Sequence, residues 1–282
     1  MNRKEAYETG IRTLTGAGIT EAKTDTILLL EGICHVDRND IYVHGEQELS
    51  AEAEKLYVEA LKKRTEHVPV QQITGMTNFM GLTFGVNEHV LIPRFDTEIL
   101  VEEVLKELQD GNHILDLCTG SGCILLSLLH YSNDCMGTGV DISALALTVA
   151  ERNAKALALS AEWLESDLFE NVKDQYDIIV SNPPYIKTRV IETLMPEVKE
   201  HEPMLALDGK EDGLFFYRRI IEESTAYLNG GGRLFFEIGY DQGEEVSSLM
   251  KQKGYQEVKV VKDYAGLDRV VSGILFGGNK DV

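Results

Sequence analysis

The segment SNPPYI, residues 181–186, directly follows the apolar run YDIIV. Proline has no backbone N–H to give to a sheet, so the two prolines end a strand and begin a stiff loop. In an open α/β sheet, ligands bind at the carboxyl ends of the strands. Asn182 is the residue of this loop whose side chain carries both a carbonyl acceptor and amide donors. The pattern therefore predicts a rigid loop whose side-chain amide contacts a ligand.

Such a loop fits the alkylation of a planar amino group. This group is a poor nucleophile because its nitrogen lone pair is delocalised, so a site must hold both N–H groups and leave the face of the nitrogen open. The Asn182 side-chain carbonyl and the Pro183 backbone carbonyl can accept the two N–H groups, and the prolines keep both acceptors fixed. Tyr185 can stack on the flat group. The alternative is a turn that only ends a strand.

The segment ILDLCTGSGCI predicts a strand, a tight turn and the start of a helix. Gly120 and Gly122 allow the turn and a close backbone approach to a ligand, and the helix N-terminus offers free N–H groups to an anion. The third glycine of a dinucleotide-binding fingerprint is missing, since Leu125 stands at its position. No phosphate-binding GxxxxGK[ST] motif occurs either. The turn is therefore predicted to bind a small anionic group and not a pyrophosphate.

Two acidic residues follow the next predicted strands. Asp141, in GVDIS, can accept hydrogen bonds from both hydroxyls of a ribose. Asp167, in LESDLF, can accept one from the exocyclic amine of adenine. A ligand with ribose, adenine and a small anionic group, but no pyrophosphate, is S-adenosylmethionine. Alternatively, Asp141 caps the helix that begins near Ala144 and Asp167 caps a turn.

From Asp96 onward, helical and strand patterns alternate along the chain. This alternation is typical of a mostly parallel sheet that is covered on both faces. The last two strand patterns, in YQEVKVVKDYAGLDRVVSGILF, have no helix between them, which predicts an antiparallel pair at the edge of the sheet. The predicted fold is an α/β, Rossmann-like sheet with an antiparallel carboxyl-terminal pair.

The amino-terminal part has a different pattern. Residues 1–66 predict a small helical bundle, in which Thr20 and Ser50 cap helices and LKKRTEH forms a solvated helix end. Residues 67–95 contain short β-prone pieces, such as LTFGV and HVLIP, and predict a linker with a hairpin. Asp96 or Thr97 is expected to cap the helix that follows.

Length and composition limit the classes of protein. A chain of 282 residues suits two domains, and its apolar content of 43% is that of a globular protein. The net charge of −20 disfavours a partner bound mainly through phosphates. There is no signal-peptide pattern and no apolar run of membrane-span length, and the four cysteines have no metal-ligand spacing. We expect a cytoplasmic protein with reduced cysteines, without a metal site, and no binding to a membrane or directly to a nucleic acid.

The segments DLCTGSG, VDIS and SNPPYI together resemble class I S-adenosylmethionine-dependent N-methyltransferases. More narrowly, the chain resembles the bacterial release factor glutamine N5-methyltransferases. Its linker, residues 69–101, is similar to that family's signature, as are EPMLALDGKEDGL, FFEIGYDQG and DYAGLDRVV. The resemblance implies methyl transfer from S-adenosylmethionine to the glutamine of the Gly-Gly-Gln loop in peptide-chain release factors, with S-adenosylhomocysteine as product.

The resemblance also implies domains and contacts. A helical substrate-docking domain (residues 1–70) would be followed by a linker with a hairpin (71–95) and a methyltransferase domain with a seven-stranded sheet (96–282). Substrate contacts are implied along the loop, at Asn182, Pro183, Pro184 and Tyr185. Implied cofactor contacts are Thr119, Gly120, Ser121, Gly122, Asp141, Asp167, Leu168 and Asn182.

Two departures and two rival functions accompany the resemblance. The family usually has Gly where Cys118 stands and Pro-Glu where Phe95 and Asp96 stand. An N-methyltransferase acting on DNA or RNA bases can share the same loop, but would need a basic surface. A binding module that keeps only the nucleoside pocket is the other alternative, and the intact loop from Asn182 to Tyr185 argues against it.

Overall fold

The computed structural model describes residues 1–277. The amino-terminal helices are α1 (Arg3–Gly16), α2 (Ala22–Cys34), α3 (Arg38–Val43), α4 (Ala51–Thr65) and α5 (Val70–Thr74). Next come β1 (Met76–Phe79), β2 (Leu82–Gly85), α6 (Phe95–Leu105), β3 (His113–Leu117), α7 (Cys123–His130), β4 (Met136–Asp141), α8 (Ala144–Ala156), β5 (Glu162–Glu165) and β6 (Tyr176–Ser181). The remaining elements are α9 (Thr188–Ile191), α10 (Pro196–Lys199), α11 (Met204–Leu207), α12 (Phe215–Ser224), β7 (Leu228–Glu237), α13 (Gly243–Lys253), β8 (Gln256–Lys262) and β9 (Asp268–Ile274).

The main sheet has seven strands in the order β5-β4-β3-β6-β7-β9-β8. The first five of these strands pair in parallel, whereas β9 is antiparallel to both β7 and β8. The predicted Rossmann-like sheet and its antiparallel carboxyl-terminal pair are therefore confirmed.

Apolar residues cover both faces of this sheet. Along β6, Ile178 and Val180 belong to one buried cluster, while Ile179 between them belongs to the other. Successive side chains of a strand point to opposite faces, so a continuous apolar run is what a strand buried on both sides requires. Helices α12 and α13 contribute to the cluster that contains Ile179, and α6 and α7 contribute to the cluster that contains Ile178 and Val180.

By their contacts, residues fall into two compact units. One comprises Met1–Met76 with Met195–His201, and the other comprises Thr77–Leu194 with the chain from Glu202 onward. The predicted domain boundaries at residues 70 and 95 stay predictions. The predicted hairpin is present as β1 and β2, which Met80 and Gly81 join with positive φ angles of 50° and 72°. Such angles suit the twist of a two-residue hairpin turn. HVLIP, however, forms no strand, so that expectation was wrong.

Two side-chain caps were predicted for helices of the helical unit, at Thr20 and Ser50. Ser50 caps α4 as predicted, because its hydroxyl accepts from the Ala53 N–H at 3.1 Å. The predicted cap at Thr20 was wrong, since α2 begins one residue later, with Glu21 at the cap position and no side-chain cap. Within the part of the chain that the structure describes, no helix is both long enough and apolar enough to cross a membrane.

The sequence suggested that Arg64 is part of a solvated helix end, and this was wrong. Arg64 is buried in the helical unit. Its Nε donates to Asp25 Oδ2 at 2.7 Å, and its Nη2 donates to Glu197 Oε1 at 3.0 Å. Asp25 is as buried as Arg64. A buried charge is tolerated only when it is paired, so these contacts join α4 to α2 and α10.

Replacing Arg64 with Met should lower the free energy of unfolding by about 3–5 kcal/mol, because the buried Asp25 carboxylate loses its partner. Lys63→Met removes a charge from the exposed side of the same helix end and should change stability by less than about 0.5 kcal/mol. Urea denaturation of the full chain, followed by circular dichroism, measures both variants. Equal effects would contradict a structural role for the buried ion pair.

Candidate active site

A cavity lies at the carboxyl ends of β3, β4 and β6, as expected for a ligand site in such a sheet. The predicted site residues that line it are Thr119, Gly120, Ser121, Asp141, Asp167, Leu168, Asn182 and Pro184. Among the described residues, Gly122, Pro183 and Tyr185 lie outside this lining. The structure thus brings together the glycine turn, both acidic residues and the asparagine of the proline loop.

The glycine turn after β3 requires positive φ angles at alternate residues. Gly120 has φ 56°, and a Cβ added there would meet no atom within 4 Å. The backbone of Gly120 is therefore open to a ligand. Gly122 has φ 78°, and a Cβ there would lie 3.0 Å from the Trp163 ring. Gly122 consequently serves the packing of the turn in addition to its conformation.

Cys118, where the resembling family usually has glycine, has a φ of 59°. For a residue with a Cβ this left-handed conformation costs about 1–2 kcal/mol. The residue lines the cavity. Burial raises the pKa of its thiol, which favours the neutral form.

Asp141 connects the glycine turn to the strand beside it. Its Oδ2 accepts from the Gly120 N–H and its Oδ1 from the Ser143 N–H, each at 2.9 Å. Ser143, and not Asp141, is the N-cap of α8, so the capping alternative was wrong. A carboxylate has about four lone-pair positions, so Asp141 keeps acceptor capacity for a ligand hydroxyl. Burial raises the pKa of Asp141, although its backbone hydrogen bonds oppose the shift.

A second buried carboxyl, Asp116, was missed by the sequence reasoning. Its Oδ2 accepts from the Thr119 hydroxyl at 2.6 Å, and Oδ1 has no hydrogen-bond partner among the described residues. Burial raises the pKa of Asp116 to about 7. The sequence signal for Asp116 is an acidic residue inside the apolar strand pattern ILDLC. Asp116 fixes Thr119 and so the start of the turn.

Asp167 has a partner that sequence spacing could not show. Arg219, on α12, donates from Nη1 to both carboxylate oxygens, at 2.8 and 3.1 Å. The guanidinium fixes the orientation of the carboxylate while leaving lone pairs for a ligand donor.

Asn182 contacts a residue that the sequence had assigned to capping. Its Nδ2 donates to the Thr97 hydroxyl at 3.4 Å. Helix α6 has Arg94 at its cap position and no side-chain cap, so the predicted caps at Asp96 or Thr97 were wrong. Thr97 lies inside the helix and is buried. Its hydroxyl therefore faces the asparagine of the proline loop.

Tyr185 is held behind the loop. Its ring packs against a core cluster, and its hydroxyl donates to Glu237 Oε1 at 3.2 Å. Burial raises the pKa of both groups. Stacking of the ring on a substrate stays a prediction.

The backbone of the loop is fixed as well. The Gln242 amide donates to the Tyr185 carbonyl at 3.1 Å, and the Ile186 N–H donates to the Leu207 carbonyl at 3.0 Å. A Cβ at Gly209 would lie 2.7 Å from the Tyr185 backbone, so only glycine permits this contact. The stiffness of the loop thus comes from its neighbours in addition to its prolines.

Another ion pair builds a wall of the cavity. Arg94 donates from Nη2 to both oxygens of Glu202, each at 2.7 Å, and the Glu202 side chain is buried. Pro203 and Leu205, which follow Glu202, line the cavity. Within residues 1–277, no group of three or more His, Cys, Asp or Glu side chains could hold a metal ion.

Comparisons with known proteins agree with this geometry. The family model of the PrmC N-terminal domain matches residues 5–75, and that of the methyltransferase small domain matches residues 94–201. A solved methyltransferase from Pyrococcus furiosus has a TM-score of 0.53 at 18% identity, covering 70% of this chain and 90% of that one, and shares the fold.

Two relatives match almost the whole length. The release factor glutamine methyltransferase of Clostridium botulinum is 40% identical over 96% of this chain and 98% of its own. That of Caulobacter vibrioides is 43% identical over 93% of this chain and 92% of its own. Since identity of 40% or more covers over nine tenths of this chain and of both relatives, the chain belongs to the family of release factor glutamine methyltransferases.

Proposed function

We propose that the chain transfers a methyl group from S-adenosylmethionine to the side-chain amide nitrogen of a glutamine, in the Gly-Gly-Gln loop of peptide-chain release factors. The observation that carries the proposal is that Asn182 and Asp141 line one cavity, at the ends of two strands of the same sheet. Asn182 suits the binding of a planar amide, and Asp141 suits the binding of a ribose. The family of the chain supports the same function.

The residues present fit this cofactor, whose sulfonium supplies an activated methyl group. Asp141 keeps acceptor capacity that can serve the ribose hydroxyls. Asp167, oriented by Arg219, can accept from the adenine amine. Gly120 leaves open space for the part of the cofactor that lies over the turn.

The loop after β6 would hold the glutamine amide. The Asn182 carbonyl accepts one N–H and the Pro183 carbonyl accepts the other, which leaves the face of the nitrogen open for in-line attack. The bound cofactor would supply the methyl group through its S–C bond, and the amide nitrogen held by these two carbonyls would give up one proton to solvent as it becomes methylated. Because that proton becomes acidic only after the transfer, the loop needs no strong base. Its fixed acceptors act by preorganisation.

A base of DNA or RNA presents a similar amino group, so discrimination comes from outside the pocket. The net charge of −20 repels a phosphate backbone, which favours a protein substrate. We propose that the chain acts in the cytoplasm, where translation terminates. The helical unit would dock the release factor and raise the local concentration of its loop.

Asn182→Ala should lower kcat roughly 10²–10³-fold, by analogy with the loss of one preorganised group in an oxyanion hole. Cofactor affinity should change much less, because the lost acceptor serves the substrate. Single-turnover assays with labelled cofactor and purified release factor measure the rate. Asn133→Ala, at an exposed asparagine, is the control. Near-normal turnover of Asn182→Ala would refute the role of this amide.

Asp141→Ala should weaken cofactor binding by about 1–3 kcal/mol, because charge-assisted hydrogen bonds are lost. Asp141→Asn keeps one acceptor oxygen and should lose less. Since burial raises the pKa of Asp141, protonation on acidification should weaken binding at a higher pH than an exposed aspartate would. Calorimetry across pH measures all three effects. Unchanged affinity in Asp141→Ala would contradict a ribose contact.

Deletion of residues 1–70 should raise KM for intact release factor far more than for a short Gly-Gly-Gln peptide, because only the intact protein reaches a second docking surface. Cofactor binding by the truncated chain is the control for its folding. Equal losses on both substrates would contradict docking by the helical unit. Methylation of DNA or RNA at rates matching the release factor would overturn the proposed substrate.

A further inference from the structure

The orientation of the Asn182 side-chain amide decides whether the loop can hold an amino group. With its carbonyl toward the cavity, the side chain accepts a substrate N–H. Rotated by half a turn, it presents its own N–H groups to those of the substrate, and no hydrogen bond forms. The two orientations have nearly the same shape, so packing alone does not choose between them. A directional partner must do so.

Thr97 is that partner. It is 3% exposed on α6, and its hydroxyl oxygen accepts from Asn182 Nδ2 at 3.4 Å. A hydroxyl carries one proton and can also donate. If Thr97 used that proton toward Asn182, it would select the opposite orientation of the amide. The direction of the Thr97 hydroxyl therefore sets the orientation of Asn182.

In the structure the Asn182 amide is the donor and the Thr97 hydroxyl is the acceptor. Both residues line the cavity. With its N–H groups turned to Thr97, Asn182 keeps its carbonyl oxygen for a ligand in that cavity.

We propose that Thr97 is a positioning residue that holds the Asn182 carbonyl toward the cavity. Thr97 accepts from Asn182 Nδ2, and the Asn182 oxygen is left for the substrate. Glu237 separately holds the hydroxyl of Tyr185, at the other end of the proline loop. The inference deepens the proposed function and rests on it for its kinetic consequence.

Thr97→Val keeps the shape of the side chain and removes the hydroxyl. If the Asn182 amide chose freely between its two orientations, kcat would be halved. If the Asn182 carbonyl were lost completely as an acceptor, kcat would fall roughly 10²–10³-fold. We expect a value between these limits, a fall in kcat of roughly 3- to 30-fold. Cofactor affinity should stay within about twofold, since Thr97 acts on the asparagine that faces the substrate. Thr97→Ser restores a hydroxyl and should recover most of the rate.

The control is Thr26→Val, which makes the same change at a buried threonine of the helical unit, whose hydroxyl donates to the Ala22 carbonyl. Assays with a Gly-Gly-Gln peptide should give it a normal kcat, whatever its melting temperature. If Thr97→Val keeps full kcat, or if Thr97→Ser is no better than Thr97→Val, the positioning role is overturned.

A second measurement needs no substrate. In ¹⁵N-edited NOE spectra of the full chain, the Asn182 Nδ2 protons should show contacts with the Thr97 side chain. Amide protons that lack this contact would overturn the proposed orientation. A wild-type protein that shows the contact but does not methylate the peptide would support the orientation and refute the proposed function, so the two failures are distinguishable.

Discussion

The register of three adjacent parallel strands is the constraint on which the site depends. Leu117 of β3 lies opposite Val140 of β4 on one side and Ser181 of β6 on the other. The residue after each of these positions therefore emerges at the same level of the sheet edge, which brings Asp141 and Asn182 to the glycine turn. The Ser181 hydroxyl donates to the Leu117 carbonyl at 2.7 Å and joins the two central strands at this level. A shift by one residue would turn these side chains to the other face.

The proline loop is rigid because distant segments pack behind it. Proline limits φ, but it does not fix where a loop points. That direction is set by Gln242 and Glu237, which bind the backbone and the hydroxyl of Tyr185, and by Gly209 and Gly213, where a Cβ would collide with the Tyr185 backbone. The segments FFEIGYDQG and LDGKEDGL thus have a physical role without lining the cavity.

Acidic groups around the site are kept at a cost in stability. Burial raises the pKa of Asp116 to about 7 and also raises that of Asp141 and Glu237. An unfolded aspartate loses its proton near pH 4, so between that value and about 7 folded Asp116 keeps a proton that the unfolded chain has lost. The folded state then binds more protons, and its stability falls as pH rises through this window. Carboxyls that line the cavity, such as Asp141, or that hold its neighbours, such as Asp116 and Glu237, thus lie where burial disfavours charge.

Local patterns were sufficient for the sheet and for the residues that directly follow its strands, because both depend on periodicity and on turn chemistry. They failed where the partner is remote. Thr97 was read as a cap because threonine near a helix start usually is one, yet its partner lies in the loop after β6. Arg64 looked like a solvated charge for the same reason, although it meets a carboxylate from another element. Residues proposed to bind the ligand follow strands and can be found in sequence, whereas residues that orient them are fixed only by the folded chain. A search for the orienting residues must start from the buried hydrogen bonds that are made by the proposed ligand-binding residues.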